Sequence, residues 1–405
     1  MPALCGLLIL VSFLIAIPAT LLARGIGRRL NALDGAGVAG QVKAAPRRIP
    51  NTGGVGIFLA IALPMLFGLV FFLTAGDDLL MRLHHDLPRF RDGARLQAPA
   101  ALVLLGGLAI LHIVGLIDDR KPLGPYLKLG IMLLVAAAVV VFTQSRLLTF
   151  LDGSVGGPWL SVLITVLWIV VITNAFNFLD NMDGLSAGVG AICAAFFLAT
   201  ALVGHAPQWF IAATLSLLIG ALLGFLLFNF PFKPRTEDRK RGVQTGGASI
   251  FMGDSGSLIV GFLLAILSVR ITYVPKTFWS FHAPALPDGL SDSAHASIPW
   301  PVFLVPLSIL AIPLYDFTSV CLIRLSQGKS PFVGDLQHFS HRLVRHGLST
   351  RAAVLVIYGC TAITGISAIA IPSLAPWQAA LVGVQTLLVL GVLALYEWKR
   401  SPSPG

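Results

Sequence analysis

Long apolar stretches recur along this chain, and short polar stretches separate them. Each apolar stretch holds about 17–24 residues, enough for a helix rising 1.5 Å per residue to cross roughly 30 Å of hydrocarbon. The pattern predicts an all-α, polytopic integral membrane protein with about 10–11 transmembrane helices. The predicted segments lie near 3–23, 53–73, 99–117, 128–145, 159–179, 184–203, 209–230, 256–273, 299–322, 351–371 and 376–396.

We predict one membrane-embedded domain over residues 1–405, with loop insertions on the outer face at 74–98 and 273–298. Composition agrees, because 56% of the 405 residues are hydrophobic and 11% are charged, with a mean hydropathy of +0.86. These values exclude an ordinary soluble protein. The four cysteines lie inside apolar segments without CxxC spacing, so neither disulfides nor a zinc site is indicated.

Charge placement predicts the orientation. Arg24, Arg28 and Arg29 follow the first apolar segment, which is the reverse of a secretory signal, so this segment is expected to stay with the N-terminus outside. Alternating helices then place most of the 28 lysines and arginines in cytoplasmic loops, as the positive-inside rule requires. We therefore expect a cytoplasmic C-terminus and a multi-pass protein of the plasma membrane or cell inner membrane. Because the net charge of +10 is spread over these loops, nucleic acid is not indicated as a partner.

In this orientation the polar clusters all lie on the cytoplasmic side. They are "GLIDDRKPLGPYLKL" (115–129), "NAFNFLDNMDGLSAG" (174–188), "TGGASIFMGDSGSL" (245–258) and "QGKSPFVGDLQHFSHRLVRHG" (327–347). Asparagine and aspartate often only cap helix ends, and this reading would suffice for one loop. Its repetition in separate loops favours a shared site at which distant acids meet.

The acids suit a divalent cation or proton transfer. Asp118 and Asp119 are adjacent, so the pair could bind a cation, or one member could take a proton from a phosphate or hydroxyl nucleophile. Asn177 and Asp180 share a helix face, and Asp254 lies among small residues that let a ligand approach closely. Magnesium needs only one or two protein carboxylates beside phosphate oxygens and waters, so we expect Mg²⁺, with Mn²⁺ as an alternative.

A basic stripe complements these acids. On a helix, His338, His341, Arg342 and Arg345 fall on one face, which suits either substrate phosphate or anionic lipid head groups. Asp316 lies inside an apolar segment, where a carboxylate is by default a functional or ion-pair candidate. No GxxxxGK[ST] motif is present, which argues against a P-loop ATPase. Together these residues suggest transfer of a phosphorylated group between a soluble donor and a lipid.

The four polar clusters resemble, in the same order, the signature blocks of the polyprenyl-phosphate N-acetylhexosamine-1-phosphate transferases. "RRIPNTGGVGIF" (47–58) resembles a further block of that superfamily. The resemblance implies a Mg-dependent enzyme that transfers a HexNAc-1-phosphate from a UDP-sugar to undecaprenyl or another polyprenyl phosphate and releases UMP. The "SHRL" ending favours the GlcNAc-1-phosphate branch over the phospho-MurNAc-pentapeptide translocases.

Roles follow from the resemblance, motif by motif. Asp254, helped by Asn177, would bind Mg²⁺. Asp118, with Asp119 beside it, would contact or deprotonate the lipid phosphate, and Asp180 and Asp183 would shape the nucleotide-sugar site. The phosphates would be neutralised by a basic set that consists of Lys128, His338, His341 and Arg342.

One position departs from the family, and alternatives stay open. The last motif commonly reads H-x-H-H, whereas Ser340 stands here in place of its middle histidine, which puts the role of that middle histidine in question. Asp180-x-x-Asp183-Gly184 begins the motif of the CDP-alcohol phosphotransferases, but the rest of that motif is missing. A transporter should carry acids near the bilayer midplane and show repeated halves. The oligomeric state is open, and a homodimer is compatible with the sequence.

Overall fold

The computed structural model describes residues 2–34, 49–83, 85, 87–203, 208–232, 247–272, 300–331 and 335–399. Within these ranges the regular structure is helical, apart from one isolated β-bridge between Leu33 and Pro50. Ten of the described helices are long and apolar enough to cross a membrane. The prediction of an all-α polytopic membrane protein is thereby confirmed, whereas the orientation of the termini stays a prediction.

The helices are α1 (Pro2–Arg29), α2 (Gly53–Thr74), α3 (Asp77–Leu83), α4 (Leu87–Asp118), α5 (Pro125–Thr143), α6 (Trp159–Leu179), α7 (Leu185–Val203), α8 (Trp209–Asn229), α9 (Asp254–Thr272), α10 (Leu304–Ile309), α11 (Ala311–Ser326), α12 (Phe339–Arg345), α13 (Thr350–Ala368) and α14 (Pro376–Lys399).

One predicted span is broken. The apolar segment at 299–322 forms a 3₁₀ turn, then α10, then α11, with Leu310 between the two α-helices at φ −94° and ψ 13°. Pro313 contributes to the break, because it has no N–H and its ring would clash with the carbonyl of Ile309 in a continuous helix. The two helical pieces therefore fall short of a single membrane-length helix.

The predicted outer loop at 74–98 is largely helical. It contains α3 and the first turns of α4, which begins at Leu87 and continues through Pro99. The other predicted insertion, at 273–298, lies outside the described residues. Neither finding bears on the side of the membrane that these segments face.

Helix α9 forms the centre of the bundle. Its membrane-length window is 94% buried, against 11% for α14, and it packs against α2, α4, α6, α7 and α8. Glycines let its neighbours come close: a Cβ on Gly115 of α4 would lie 2.4 Å from the Cα of Ser255, and one on Gly54 of α2 would lie 2.4 Å from the backbone N of Gly256. The N-terminal end of α9 is thus held between the ends of two other helices.

We expect Gly115→Ala to destabilise the protein, because the added methyl group must push α4 away from the backbone of α9. Overpacking of this kind costs about 1–3 kcal/mol. The matched control is Gly106→Ala on the same helix, where a Cβ would meet nothing within 4 Å. Thermal unfolding of the two purified variants in one detergent makes the comparison. Equal melting temperatures for both variants and the wild type would contradict the close approach.

Candidate functional site

The site is built around the first residues of α9, whose backbone N–H groups need acceptors. Asp119 supplies them. Its Oδ1 accepts from the backbone N of Asp254 at 2.9 Å and its Oδ2 from that of Ser255 at 3.2 Å. Oδ1 also accepts from Asn51 Nδ2 at 2.8 Å. A carboxylate at a helix N-terminus is electrostatically favourable, so Asp119 joins the end of α4 to the start of α9.

Gly253 makes this junction sterically possible. Its φ is +69°, a left-handed conformation that favours glycine. A Cβ at this position would lie 2.5 Å from Asn51 Oδ1 and 2.5 Å from Asp119 Oδ2. The glycine of the "MGD" motif is therefore required both by its backbone conformation and by the carboxylate packed against it.

Lys128 connects the other acids. Its Nζ donates to Asp118 Oδ2 at 3.2 Å, to Asn177 Oδ1 at 3.3 Å and to Asp254 Oδ2. Asn177 Nδ2 in turn donates to Asp254 Oδ1 at 2.8 Å and to Ser257 Oγ at 3.0 Å. Side chains from α4, α5, α6 and α9 thus meet at one ammonium group, as the sequence predicts.

This meeting point is partly exposed. The side chains of Lys128, Asp118 and Asp254 keep 13%, 17% and 28% of their accessible surface. A ligand can therefore reach the oxygens that surround the ammonium group. We call Asp118, Asp119, Asp180, Asp183 and Asp254 the carboxylate cluster.

The cluster carries an excess of negative charge. Burial, and then the charges of Asp254, Asp119 and Asp183, hold the pKa of Asp180 well above its usual range, although the backbone N–H of Gly253 donates to it. Burial, and then Asp254, also raise the pKa of Asp119. Both carboxyl groups are therefore harder to ionise than a free aspartate. An additional cation would favour their ionised forms.

Asp183 is a buried member of the cluster. It is 3% exposed, and its Oδ2 accepts from the backbone N of Ala248 at 3.2 Å. The adjacent Gly184 donates its N–H to Asn229 Oδ1 at 2.8 Å and accepts from the hydroxyl of Tyr358 at 2.5 Å. These contacts indicate that Asp183 holds the turn between α6 and α7. Its predicted catalytic role stays a prediction.

Helix α12 brings the histidines against the end of α6. Ser340 Oγ donates to Asn181 Oδ1 at 2.5 Å, so the residue that replaces a family histidine joins the two motifs. The ring of His338 meets Phe178 edge-on at 5.7 Å between centroids, and the ring of His341 lies 6.4 Å from that of His338. Burial, and then His338, lower the pKa of His341 to about 4, so its ring is neutral at pH 7.

Arg342 has partners other than those predicted. Its Nε donates to Glu397 Oε1 at 2.7 Å and its Nη2 to Ser319 Oγ at 2.9 Å and to Glu397 Oε2 at 3.1 Å, while Nη1 donates to the carbonyl of Gln337. Glu397 also accepts from the hydroxyl of Tyr315 at 2.6 Å. The contacts indicate that Arg342 fixes α12 to α11 and α14. We therefore do not assign it to substrate phosphate.

Several contributors were not singled out by sequence reasoning. Asn51 lies in the "RRIPNTGGVGIF" block, which marks the region but not the residue. Ser257 and Phe178 lie within the recognised motifs, as neighbours of the predicted residues. Glu397 carries no signal in the sequence, because it lies 55 positions from Arg342 at the end of an apolar helix.

The described cluster does not form a complete metal cage. Within the ranges that the structure covers, no group of three or more His, Cys, Asp or Glu side chains is arranged to hold a metal ion. A cation here would rely on a few protein oxygens and on ligands from elsewhere.

Comparisons with known proteins show which family this chain resembles. Residues 101–272 match the family model described as Glycosyl transferase family 4. The chain is 32% identical over 293 residues to a probable undecaprenyl-phosphate N-acetylglucosaminyl 1-phosphate transferase of Bacillus subtilis, covering 71% of this chain and 70% of that protein. It is 30% identical over 362 residues to a decaprenyl-phosphate N-acetylglucosaminephosphotransferase of Mycobacterium tuberculosis, covering 87% and 79%. An undecaprenyl-phosphate alpha-N-acetylglucosaminyl 1-phosphate transferase of Escherichia coli is 26% identical over 265 residues, covering 64% and 62%.

Substitutions of the adjacent acids Asp118 and Asp119 are expected to lower the stability of the protein by different amounts. Asp119→Asn would turn an amide group toward an N–H donor of α9 or Asn51, and leaving such a donor unsatisfied costs about 1–3 kcal/mol. Asp118→Asn should cost less, since it removes one of several crowded negative charges and leaves Lys128 paired with Asp254. Thermal unfolding without substrate separates the two. A larger loss in Asp118→Asn would contradict the capping role of Asp119.

Proposed function

This chain belongs to glycosyl transferase family 4, in the branch of the polyprenyl-phosphate GlcNAc-1-phosphate transferases, and on that premise we propose its reaction. It transfers GlcNAc-1-phosphate from UDP-GlcNAc to undecaprenyl phosphate or a related polyprenyl phosphate. A phosphate oxygen of the lipid forms a bond to the sugar-bound phosphorus, the bond from that phosphorus to the UMP oxygen breaks, and UMP leaves. The product is a lipid-linked diphosphate sugar that begins a cell-envelope glycan.

The observation that carries the proposal is the meeting of Asp118, Asn177 and Asp254 around one ammonium group. Both substrates bring phosphate groups to a cluster that is already negative. Two like charges 4 Å apart repel by about 4 kcal/mol at an effective dielectric constant of 20. Lys128 alone balances only part of this charge, so the substrates need a further cation.

We propose Mg²⁺ as that cation, with Mn²⁺ as a substitute. Asp254 Oδ2, Asp118 Oδ2 and Asn177 Oδ1 already converge on a positive group, and hard oxygen ligands suit magnesium. Asp254 and Asn177 would hold the ion, and the small protein share leaves positions for phosphate oxygens and water. When bound, Mg²⁺ neutralises charge on the phosphate oxygens during transfer.

The protein side chains then position the reactants. Asp118 is held in place by the backbone N of Leu123, which donates to its Oδ1 at 2.7 Å. It is partly exposed and orients or deprotonates the lipid phosphate. Lys128 can shift its hydrogen bonds from carboxylates to substrate phosphate. Helix α12 is joined to the end of α6 by Ser340 and Asn181, and from there His338 and His341 would contact phosphate. Phosphoryl transfer needs mainly such positioning and charge neutralisation.

The positive-inside pattern supports a cytoplasmic site in the plasma membrane or inner membrane. UDP-sugar would then arrive from the cytoplasm, and the lipid phosphate from the bilayer. The named relatives support GlcNAc as the sugar.

The purified protein should release UMP when it receives UDP-GlcNAc, undecaprenyl phosphate and Mg²⁺. EDTA should stop the release and added Mn²⁺ should restore it. UMP and the lipid product are measured by chromatography. A monodisperse, thermally stable preparation that releases no UMP with any UDP-HexNAc would contradict the proposal, and release only with UDP-MurNAc-pentapeptide would assign the chain to the other branch.

Asp254→Asn and Asp118→Asn should each lower kcat by roughly 100-fold or more, the scale on which preorganised charges act. The control is Asp78→Asn, the same substitution at an exposed acid outside the site, which should keep wild-type activity. Size-exclusion profiles and melting temperatures check that the variants fold. Near-normal turnover in either site variant would remove that residue from the mechanism.

A further inference from the structure

Asp316 is a buried carboxylate, and both of its oxygens contact residues at the start of α12. It lies in the middle of α11 and is 0% exposed. Its Oδ2 lies 3.0 Å from His338 Nδ1, and its Oδ1 accepts from the backbone N of Phe339 at 2.5 Å. Burying a carboxylate without hydrogen-bond partners costs folding free energy, so the two hydrogen bonds offset the burial of Asp316. Asp316 therefore caps α12 and contacts the ring of His338 at the same time.

This contact decides which nitrogen of His338 is left for a ligand. A carboxylate oxygen accepts, so the ring must carry a proton on Nδ1, and Nε2 is the remaining nitrogen. The ring is also fixed from another side, because Phe178 meets it edge-on and the guanidinium group of Arg324 lies 5.2 Å from the Phe178 centroid. His338 thus has a defined tautomer and a defined ring position.

Helix α12 does not depend on Asp316 alone for its place. Arg342, on the same short helix, binds Glu397 of α14 through two nitrogens, and Ser340 binds Asn181. A change at Asp316 can therefore alter the ring of His338 while these other contacts keep the helix docked.

We propose that Asp316 is a positioning residue that holds His338 as the Nδ1-protonated tautomer and so reserves Nε2 for a substrate phosphate. The inference rests on the proposed function, in which His338 contacts phosphate. In the complex with substrate, a phosphate oxygen accepts a hydrogen bond and therefore needs an N–H on the ring. His338 then carries a proton on Nε2 in addition to the one on Nδ1. Asp316, at the opposite nitrogen, balances the resulting charge.

Asp316→Asn tests this with almost no change in shape. The amide has one acceptor oxygen, and the backbone N–H of Phe339 requires it. The NH₂ group then faces Nδ1 and forces the neutral ring to carry its proton on Nε2. This ring can still donate from Nε2 to a phosphate oxygen, but it has lost the carboxylate that balances the charge of the doubly protonated ring. We therefore expect kcat to fall roughly tenfold, because a charge-assisted hydrogen bond is about twice as strong as a neutral one.

A double-mutant cycle separates positioning from general support. If Asp316 acts through His338, Asp316→Asn should cost less than about twofold in a His338→Ala background. The matched control is Glu397→Gln, which removes the other, partly buried acid that holds α12. Its loss should multiply with that of His338→Ala, because it acts through Arg342. Multiplying losses for Asp316→Asn would overturn the proposal.

The tautomer itself can be read without turnover. In protein labelled with ¹⁵N-histidine, His338→Ala identifies the signal of this ring among the nine histidines. At a pH where the ring is neutral, the wild type should show a protonated Nδ1, Asp316→Asn a protonated Nε2, and Glu397→Gln the wild-type pattern. A protonated Nε2 in the wild type would overturn the proposal, and this measurement stands even if Asp316→Asn does not fold. Failure of the UMP assay would refute the proposed function but leave this result unaffected.

Discussion

Mutual repulsion of carboxylates is the constraint on which this structure depends. Five aspartates from separate parts of the chain meet near the start of α9, where the raised pKa of Asp180 reflects both burial and crowding. Two kinds of positive partner hold them together. The N-terminal N–H groups of α9 bind Asp119, and the Lys128 ammonium group binds Asp118 and Asp254. The remaining excess of negative charge makes the site receptive to a cation.

Helix packing gives these charges their positions. The close contacts of Gly54 and Gly115 with Ser255 and Gly256 let α2 and α4 reach the backbone of α9. The left-handed conformation of Gly253 places its N–H beside Asp180. On the other side, α12 is anchored through Asp316 at its start and through Arg342 in its middle. Rigid supports of this kind would hold the proposed catalytic groups in place while substrate binds.

Most of the helices and the meeting of the motifs could be predicted from sequence, because hydropathy locates spans and alternation across the bilayer places their polar ends together. The roles within the site could not. Asp118 and Asp119 are equivalent in sequence, yet one helical step directs the first to Lys128 and the second to the backbone of α9. The helical spacing of Arg342 suggests a phosphate ligand, whereas in the structure its guanidinium group binds Glu397. Pro313 contributes to the break at Leu310, and a hydropathy average does not record such an effect of proline on the backbone.

The central claim is that Asp254 holds a divalent cation against the phosphates of the nucleotide sugar. The most direct measurement is the binding of Mn²⁺ to the purified protein in the presence of UDP-GlcNAc, followed by electron paramagnetic resonance. Wild-type protein should bind one ion per chain, and Asp254→Asn should weaken that binding at least about tenfold, equivalent to about 1.4 kcal/mol. Equal Mn²⁺ affinity in a folded Asp254→Asn protein would contradict the account.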